Sequence, residues 1–152
     1  MSPGRRRDEG GTITVYLLGL VLVAVTLVAG TVAVTSAHLA RIRLLDVADG
    51  AALSAANALD DAAYRQGVGD SVPLSDASVR ARAADYLGGL DRPTGVLAWR
   101  LGPGTGTPDG RTAVVELTGE AELPLVGGAL RELGVSISIH VTSRARSDLL
   151  AP

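Results

Sequence analysis

The chain of 152 residues has no cysteine, no lysine and no phenylalanine, and aromatic residues make up only 3% of it. Without cysteine it has no disulfides, no thiolate catalysis and no cysteine-based zinc site. All 14 basic residues are arginine, so a P-loop lysine, a Schiff-base lysine and a lysine general base are excluded too. Two histidines, His38 and His140, leave little material for a metal site. The net charge of −2 argues against a nucleic-acid partner, since such domains usually carry a basic face.

The charge is distributed unevenly around one long apolar run. Residues 1–43 hold five arginines against two acids (+3), whereas residues 44–152 hold nine arginines against fourteen acids (−5). Between them, residues 12–37 are uncharged and mostly apolar. As a helix, this run of 26 residues would extend about 39 Å. The hydrocarbon core of a bilayer needs only about 20 residues. The run therefore predicts one transmembrane helix, long enough to tilt.

A cleaved secretory signal is the alternative interpretation of this run. Signal peptides have an apolar stretch of about 7–15 residues followed by an A-x-A-like site. Here the stretch is longer, and Thr35 and Ala37 make a poor site, so a single-pass anchor in the cytoplasmic membrane is favoured. The arginines at residues 5–7 outnumber Arg41 and Arg43 after the run, which predicts a cytoplasmic N terminus and a C-terminal domain outside.

An alanine-rich segment follows and should continue the helix, because alanine has the highest helix propensity. The predicted organisation is a basic leader (1–11), a transmembrane helix (12–37), a juxtamembrane alanine-rich helix (38–66), a small domain (67–146) and a tail (147–152). Gly67 and Gly69 are expected to end the helix. Three- and four-residue steps predict an amphipathic face for packing on a sheet or on another helix, made of Ile42, Leu45, Asp49, Ala52, Ala56, Leu59 and Ala63.

The rest of the chain predicts a short helix and three strands. Ser75 is a good N-cap for a helix over residues 76–87, whose apolar face is Val79, Ala83, Tyr86 and Leu87. The period then changes to two over residues 96–101, 112–123 and 134–145, as in half-buried antiparallel strands. In the first strand, alternation groups Leu97, Trp99 and Leu101 on one face. In the second, the odd-numbered residues 113–123 form the dry face; in the third, Val135, Ile137, Ile139 and Val141 do. The fold class is α+β: a long helix, a short helix and a three-stranded antiparallel sheet.

No residue pattern predicts catalysis, a metal site, a cofactor or a small-molecule substrate. The glycine-rich residues 102–110 lie between two strands with no lysine after them, which indicates a hairpin loop rather than a phosphate site. The pairs Asp46/Asp49 and Asp60/Asp61 indicate a solvated or partner-facing helix side. His140 is expected on the wet sheet face near Glu116, Glu120 and Glu122, as a cross-strand polar neighbour. We therefore expect a binding protein and not an enzyme.

Small residues in the apolar run predict a docking face. Ala29, Ala33 and Ala37 form a small-xxx-small row, with Thr26 and Gly30 beside it, which would let another membrane helix approach closely. The expected partners are the lipid bilayer and other membrane proteins. A second contact is expected just outside the membrane, at Arg41, Arg43, Asp46, Asp49, Ala52 and Ala56.

The first 65 residues resemble the TadE/TadG-like proteins of tight-adherence (Flp-type) pilus assembly, the TadG-like branch most. The resemblance is carried by the leader arginines, Gly10 and Gly11, the apolar run, Arg41 and Arg43, and the ADGAALSAA segment around Asp49. It implies a pilin-like architecture and a role beside pilin-like or pilus-platform membrane proteins. It also makes Gly10 and Gly11 candidate processing positions.

The chain departs from processed pilins in one residue. Those proteins carry glutamate at the fifth mature position, whereas cleavage after Gly10 or Gly11 would place Val15 or Tyr16 there. This departure argues against cleavage and favours an uncleaved, membrane-anchored accessory or minor subunit. The alternative is a signal-anchored extracytoplasmic domain that binds a ligand or the cell wall without pilus machinery.

Overall fold

The computed structural model describes residues 10–66, 74–125, 127–134 and 136–146. In chain order the elements are α1 (Gly10–Gln66), α2 (Asp76–Gly88), β1 (Val96–Leu101), β2 (Thr112–Ala121), α3 (Gly127–Glu132) and β3 (Ile137–Arg146). The leader before residue 10, Gly67 and Gly69, Val135 and the tail 147–152 lie outside the described residues. The predicted α+β order of long helix, short helix and three-stranded sheet is confirmed, and the connection between the last two strands contains α3.

Helix α1 is continuous for 57 residues. At the standard rise it is about 86 Å long, so its lower part extends well beyond the domain that its upper part joins. The apolar run and the alanine-rich segment are therefore one helix, as predicted. The upper part belongs to the domain core, since Ala40, Leu44 and Ala48 are all fully buried.

The buried face of α1 differs from the one that the sequence predicted. Ile42 and Leu45 were expected inside but are 45% and 39% exposed, whereas Leu44 is fully buried. The prediction was wrong for these two residues because leucines at 44 and 45 offer two possible helix phases, and the sheet selects one. Asp49 is exposed, whereas Ala52 and Ala56 are buried as expected. The side chains of Leu59 and Ala63 do not belong to the part of the chain that the structure describes. The buried stripe is Ala40, Leu44, Ala48, Ala51, Ala52, Ala55 and Ala56.

The sheet has the order β1-β2-β3, with both neighbouring pairs antiparallel. Its dry face contains Ala113, Val115 and Leu117 from β2, all fully buried, and α1 covers it. The predicted dry face of β2 is therefore confirmed. Ile139 and Val141 of β3 are buried on the same side, whereas Ile137 at the strand's start is 38% exposed.

A β-bulge in β1 overturns the predicted alternation of that strand. Val96 pairs with Ala121 and Ala98 with Glu120, so Leu97 is one extra residue. The bulge moves Val96, instead of Leu97, onto the face of Trp99 and Leu101, and Val96 is the buried one. The Arg92 guanidinium donates a hydrogen bond to the carbonyl of Leu97, at the bulge.

Helix α2 begins where the sequence predicts. Ser75 is its N-cap, and Ser75 and Ser78 each accept a backbone N–H from the other at 3.1 Å, which forms a capping box. Val79, Ala83 and Leu87 are buried, and Tyr86 packs against the core. Gly50 of α1 gives room for this contact, because a Cβ there would lie 2.2 Å from the Tyr86 hydroxyl oxygen.

Side chains fix the β1–β2 loop (residues 102–111) at the end of the sheet away from α3. The Gly104 N–H donates to the Glu116 carboxylate at 2.7 Å, so this loop amide is already bonded to an anion of the chain itself. Arg80 of α2 donates to the carbonyls of Thr105 and Pro103 at 2.9 and 3.0 Å. These bonds describe a structural hairpin loop, as predicted for this segment.

Asp109 organises the last turn of that loop. The backbone N–H groups of Arg111 and Thr112 donate to one carboxylate oxygen at 2.9 and 2.7 Å, and the Thr112 hydroxyl donates to the other at 2.9 Å. Because all three bonds favour the ionised form, they lower the pKa of Asp109 below its ordinary value.

Candidate membrane and docking surface

The lower part of α1 is an apolar helix that the rest of the described chain leaves uncovered. Residues 11–28 are exposed throughout, although they include many large apolar side chains such as Leu17, Leu20 and Leu27. This helix contains an 18-residue stretch of mean hydropathy 2.6 without a buried residue, long and apolar enough to cross a membrane. A soluble domain rarely leaves so large an apolar surface in water.

The polar groups of this segment are satisfied within the helix. The hydroxyls of Thr26, Thr31 and Thr35 donate to the carbonyls of Leu22, Leu27 and Thr31, four residues earlier, at 2.8–2.9 Å. Such bonds let threonine enter a hydrocarbon environment without an unpaired donor. The threonines are therefore compatible with a lipid-facing helix.

Cover by the domain begins gradually along the helix. Ala29 is the first half-buried residue, Val32, Ala33, Ser36 and Ala37 follow, and full burial starts at Ala40. The uncovered residues 11–28 would extend about 27 Å at the helical rise. That length is close to the roughly 30 Å thickness of the hydrocarbon core.

The predicted docking residues divide into two groups. Thr26 and Gly30 are exposed, and a Cβ added to Gly30 would meet nothing within 4 Å. Ala29, Ala33 and Ala37 are half-buried, with Ala29 beside Leu125 and Ala37 beside the start of β3. The free part of the predicted row is therefore centred on Thr26 and Gly30.

This free part lies in line with the stripe that packs on the sheet. Thr26, Gly30, Ala33, Ala37, Ala40 and Leu44 follow one another in steps of three and four residues, which is one face of a helix. The face that is buried in the domain thus continues downward, through the half-buried Ala37 and Ala33, to the exposed Gly30 and Thr26. A partner helix placed there would continue the same packing surface below the sheet.

The predicted juxtamembrane residues have different environments. Ala52 and Ala56 are buried in the chain's own core, so they cannot contact a partner in this fold. Arg43 donates a hydrogen bond to the carbonyl of Thr94 and supports the turn before β1. Asp46 and Asp49 are exposed on the outer side of α1.

Arg41 lies at an open cavity between α1 and the beginning of β3. His38, Arg41 and His140 line it together, so the fold brings both histidines of the chain to one place. The strand register sets His140 opposite Thr118, and the Thr118 hydroxyl and the His140 Nδ1 share a hydrogen bond of 3.1 Å. Glu116 and Glu120 lie opposite the neighbouring residues, Thr142 and Ser138. Across the described ranges, no three His, Asp or Glu side chains are grouped as metal ligands would be.

Sequence reasoning missed the β2–β3 loop (residues 122–136) as part of this surface. Leu125 lies beside the lower part of α1 and lines a groove with Ala24, Val25, Val28 and Ala29. The signal was present in the sequence, because residues 123–130 read LPLVGGAL and contain no charge. A connection between two strands in water would normally be more polar.

The comparisons with known proteins point to this helix. Residues 11–58 match the model of the TadE/G-like Flp pilus-assembly family, that is, the uncovered apolar segment together with the buried alanine stripe. Neither the search of curated proteins nor that of solved structures gave a match. Over residues 11–58, the resemblance carried by the leader glycine, the apolar run and the segment around Asp49 is confirmed. Residues 11–58 are thus similar to the TadE/G-like domain of Flp pilus assembly, and they lie in one long helix whose upper part packs in the core of an α+β fold.

Proposed function

We propose that this chain is a membrane-anchored accessory or minor pilin-like subunit of a tight-adherence pilus assembly or secretion system, acting by protein–protein interaction and not by catalysis. The observation that carries the proposal is the position of the family match. It begins in the uncovered apolar part of α1 and ends in the part that the domain buries. One rigid helix would then connect a membrane contact to a domain outside the membrane.

The proposed orientation places the N terminus in the cytoplasm and the sheet domain outside the cytoplasmic membrane. The leader arginines support it through the positive-inside rule. Because the chain has no cysteine, a single cysteine at the exposed Pro108 would be a unique label site. A membrane-impermeant maleimide should modify Pro108→Cys in intact cells after removal of any outer barrier. Labelling that occurs only after lysis would instead place the sheet domain on the cytoplasmic side.

Docking within the membrane is proposed to use the free row at Thr26 and Gly30. Gly30→Leu would place a large side chain where the row now lets a neighbouring backbone approach closely. Thr31→Leu is the matched control, because Thr31 is also exposed but lies about 100° further round the helix. A loss of about 1.4 kcal/mol of packing would lower the partner's affinity about tenfold.

The assay is co-purification of other pilus-assembly proteins from native membranes after mild crosslinking. We expect Gly30→Leu to lose most of the crosslinked partner and Thr31→Leu to retain it. Equal recovery from both variants and from the wild type would argue against docking by this row. The family-level assignment would be unaffected by that result, since it depends on residues 11–58 as a whole.

The accessory role is tested separately by the intact mass and N-terminal sequence of the protein from its host's membranes. Gly10 begins α1, so both candidate processing positions lie at the N-terminal end of the helix. A chain that begins at Met1 or Ser2 would support a permanent anchor. A chain that begins at Gly11 or Thr12 would mean prepilin-type processing and would place the protein in the filament. A soluble chain that begins near His38 would favour the signal-anchored binding domain instead.

A further inference from the structure

We infer that the described part of the β2–β3 loop, Leu125 and residues 127–134, is a second membrane contact, called here the foot, which enters the outer face of the bilayer that α1 is proposed to span. The inference rests on the proposed anchoring of α1 and adds a surface that the anchor alone does not require. It commits to the lipid bilayer as the partner of this loop.

The first observation is the exposure of leucines in the loop. Leu125 and Leu133 are each 77% exposed, although both belong to a folded segment with its own short helix, α3. Leu125 also has a φ of +72°, the left-handed conformation, which is energetically costly for a branched side chain. Hydrophobic burial within the protein does not compensate this cost at such exposure. A side chain kept exposed on a strained backbone points to a contact outside the chain.

The second observation is the level of the loop along α1. Leu125 lies beside Ala24, Val25, Val28 and Ala29, across an open apolar groove of about 450 Å³. Residues of α1 become half-buried from Ala29 onward, whereas Leu125 reaches down to the level of Ala24. Leu125 therefore lies beside the exposed apolar segment over a length of up to five residues, or about 7 Å. Interfacial elements bury their apolar face about 5–10 Å into the boundary between headgroups and acyl chains.

The third observation is the distribution of charge in the loop. The charged residues of this loop are Glu122 at its start and Arg131 and Glu132 at the end of α3. Leu125, Gly127, Gly128 and Ala129 lie between them without a charge. The Arg131 Nε donates to the carbonyl of Gly127 at 3.2 Å, which closes the turn. Charged ends with an apolar centre are what a loop needs to dip into a membrane while its charges stay at the headgroups.

The foot and the docking row do not compete for the same side of α1. At about 100° per residue, Gly30 lies about 140° from Val25 and about 160° from Val28, which line the groove. A partner helix at Gly30 and the foot beside Val28 can therefore be present together. With two contacts, the domain would be fixed in its tilt and rotation relative to the membrane plane.

The test measures membrane depth with single-cysteine variants of the full-length protein, since the chain has no cysteine of its own. Leu125→Cys and Leu133→Cys report on the foot, and Leu20→Cys reports on the anchor. Pro108→Cys is the control in the β1–β2 loop, a full length of β2 away, about 30 Å. Each variant is labelled with an environment-sensitive fluorophore and placed in phosphatidylcholine/phosphatidylglycerol vesicles that contain a lipid nitroxide at carbon 5 or carbon 12. Trp99 fluorescence verifies that each variant is folded.

We expect the labels at residues 125 and 133 to be quenched by the carbon-5 nitroxide at least threefold more than the label at residue 108, and to be shielded from aqueous iodide. If the labels at residues 125 and 133 are quenched no more than the label at residue 108, while the label at residue 20 is quenched by the lipid nitroxide, the membrane contact of the foot is refuted. The anchoring of α1 would still be supported. If residue 20 is not quenched either, the anchor itself fails. Shielding of residue 125 from both quenchers would mean that a protein and not lipid fills the groove, which also overturns the inference.

A second variant separates the side chain from the backbone. Asparagine tolerates the left-handed conformation, so Leu125→Asn should keep the turn but remove the apolar contact. In a protein labelled at residue 133, this change should lower the quenching by the carbon-5 nitroxide at least twofold. Unchanged quenching would show that Leu125 does not hold the loop in the membrane.

Discussion

Leu44 and Leu45 are adjacent in α1, and the structure gives them opposite roles. Leu44 is fully buried and contacts the sheet at Gly119, where an added Cβ would lie 2.7 Å from its Cδ2. Leu45 is 39% exposed. Replacing a fully buried leucine by alanine lowers the free energy of unfolding by about 2–5 kcal/mol, because the protein loses the transfer free energy of the side chain and also pays for the cavity left behind. Replacing a half-exposed one should cost about 1 kcal/mol.

The assay is urea unfolding of the full-length protein in mild detergent micelles, followed by the fluorescence of Trp99, the single tryptophan. Trp99 lies in β1 and packs against the core, so its emission reports the loss of the contact between sheet and helix. With a slope of about 1.5 kcal/mol per molar urea, Leu44→Ala should lower the midpoint by about 1.5–3 M. Leu45→Ala should lower it by less than about 1 M. Equal shifts, or a larger shift for Leu45→Ala, would refute the helix phase described above.

Three further predictions concern the domain. Gly119→Ala should destabilise it by about 1–3 kcal/mol, because the new Cβ would overlap Leu44. Gly88→Ala is the control, because a Cβ at residue 88 meets nothing within 4 Å, and it should not lower the free energy of unfolding in the same urea assay. Equal losses of stability in the two variants would contradict the close approach of helix and sheet at Gly119. Ser75→Ala removes the N-cap of α2 and should lower the free energy of unfolding by about 0.5–2 kcal/mol in the same assay. An unchanged free energy of unfolding would contradict the capping box. The pKa of Asp109 is lower in the folded than in the unfolded protein, so its contribution is complete above the ordinary value of 3.8 and is lost as the pH falls through the folded pKa. Asp109→Ala should therefore be less stable than the wild type at pH 6, and the difference should shrink towards pH 3; a constant difference would mean that the carboxylate charge is not involved.

Local patterns of residues were sufficient to predict several elements of the fold. The uncharged run of residues 12–37 predicted the apolar helix, and alanine propensity predicted its continuation. Ser75 marked the start of α2, and period-two alternation gave β2 with its dry face. The family resemblance was also present at this level, in the order of the leader glycine, the apolar run and the segment around Asp49.

Which face of each helix and strand is buried depends on contacts between elements that are distant in the chain. Leu44 and Leu45 are equally apolar, so only the sheet could select the phase of α1, and the close approach at Gly119 selects Leu44. The bulge at Leu97 cannot be predicted from the alternation of apolar and polar residues, because an extra residue is defined only by the pairing with a neighbouring strand. The position of Leu125 beside Val28 follows from the same cause, since it joins residues about a hundred positions apart. Local propensity fixes which secondary structure each segment forms, and packing alone fixes which of its faces stays exposed.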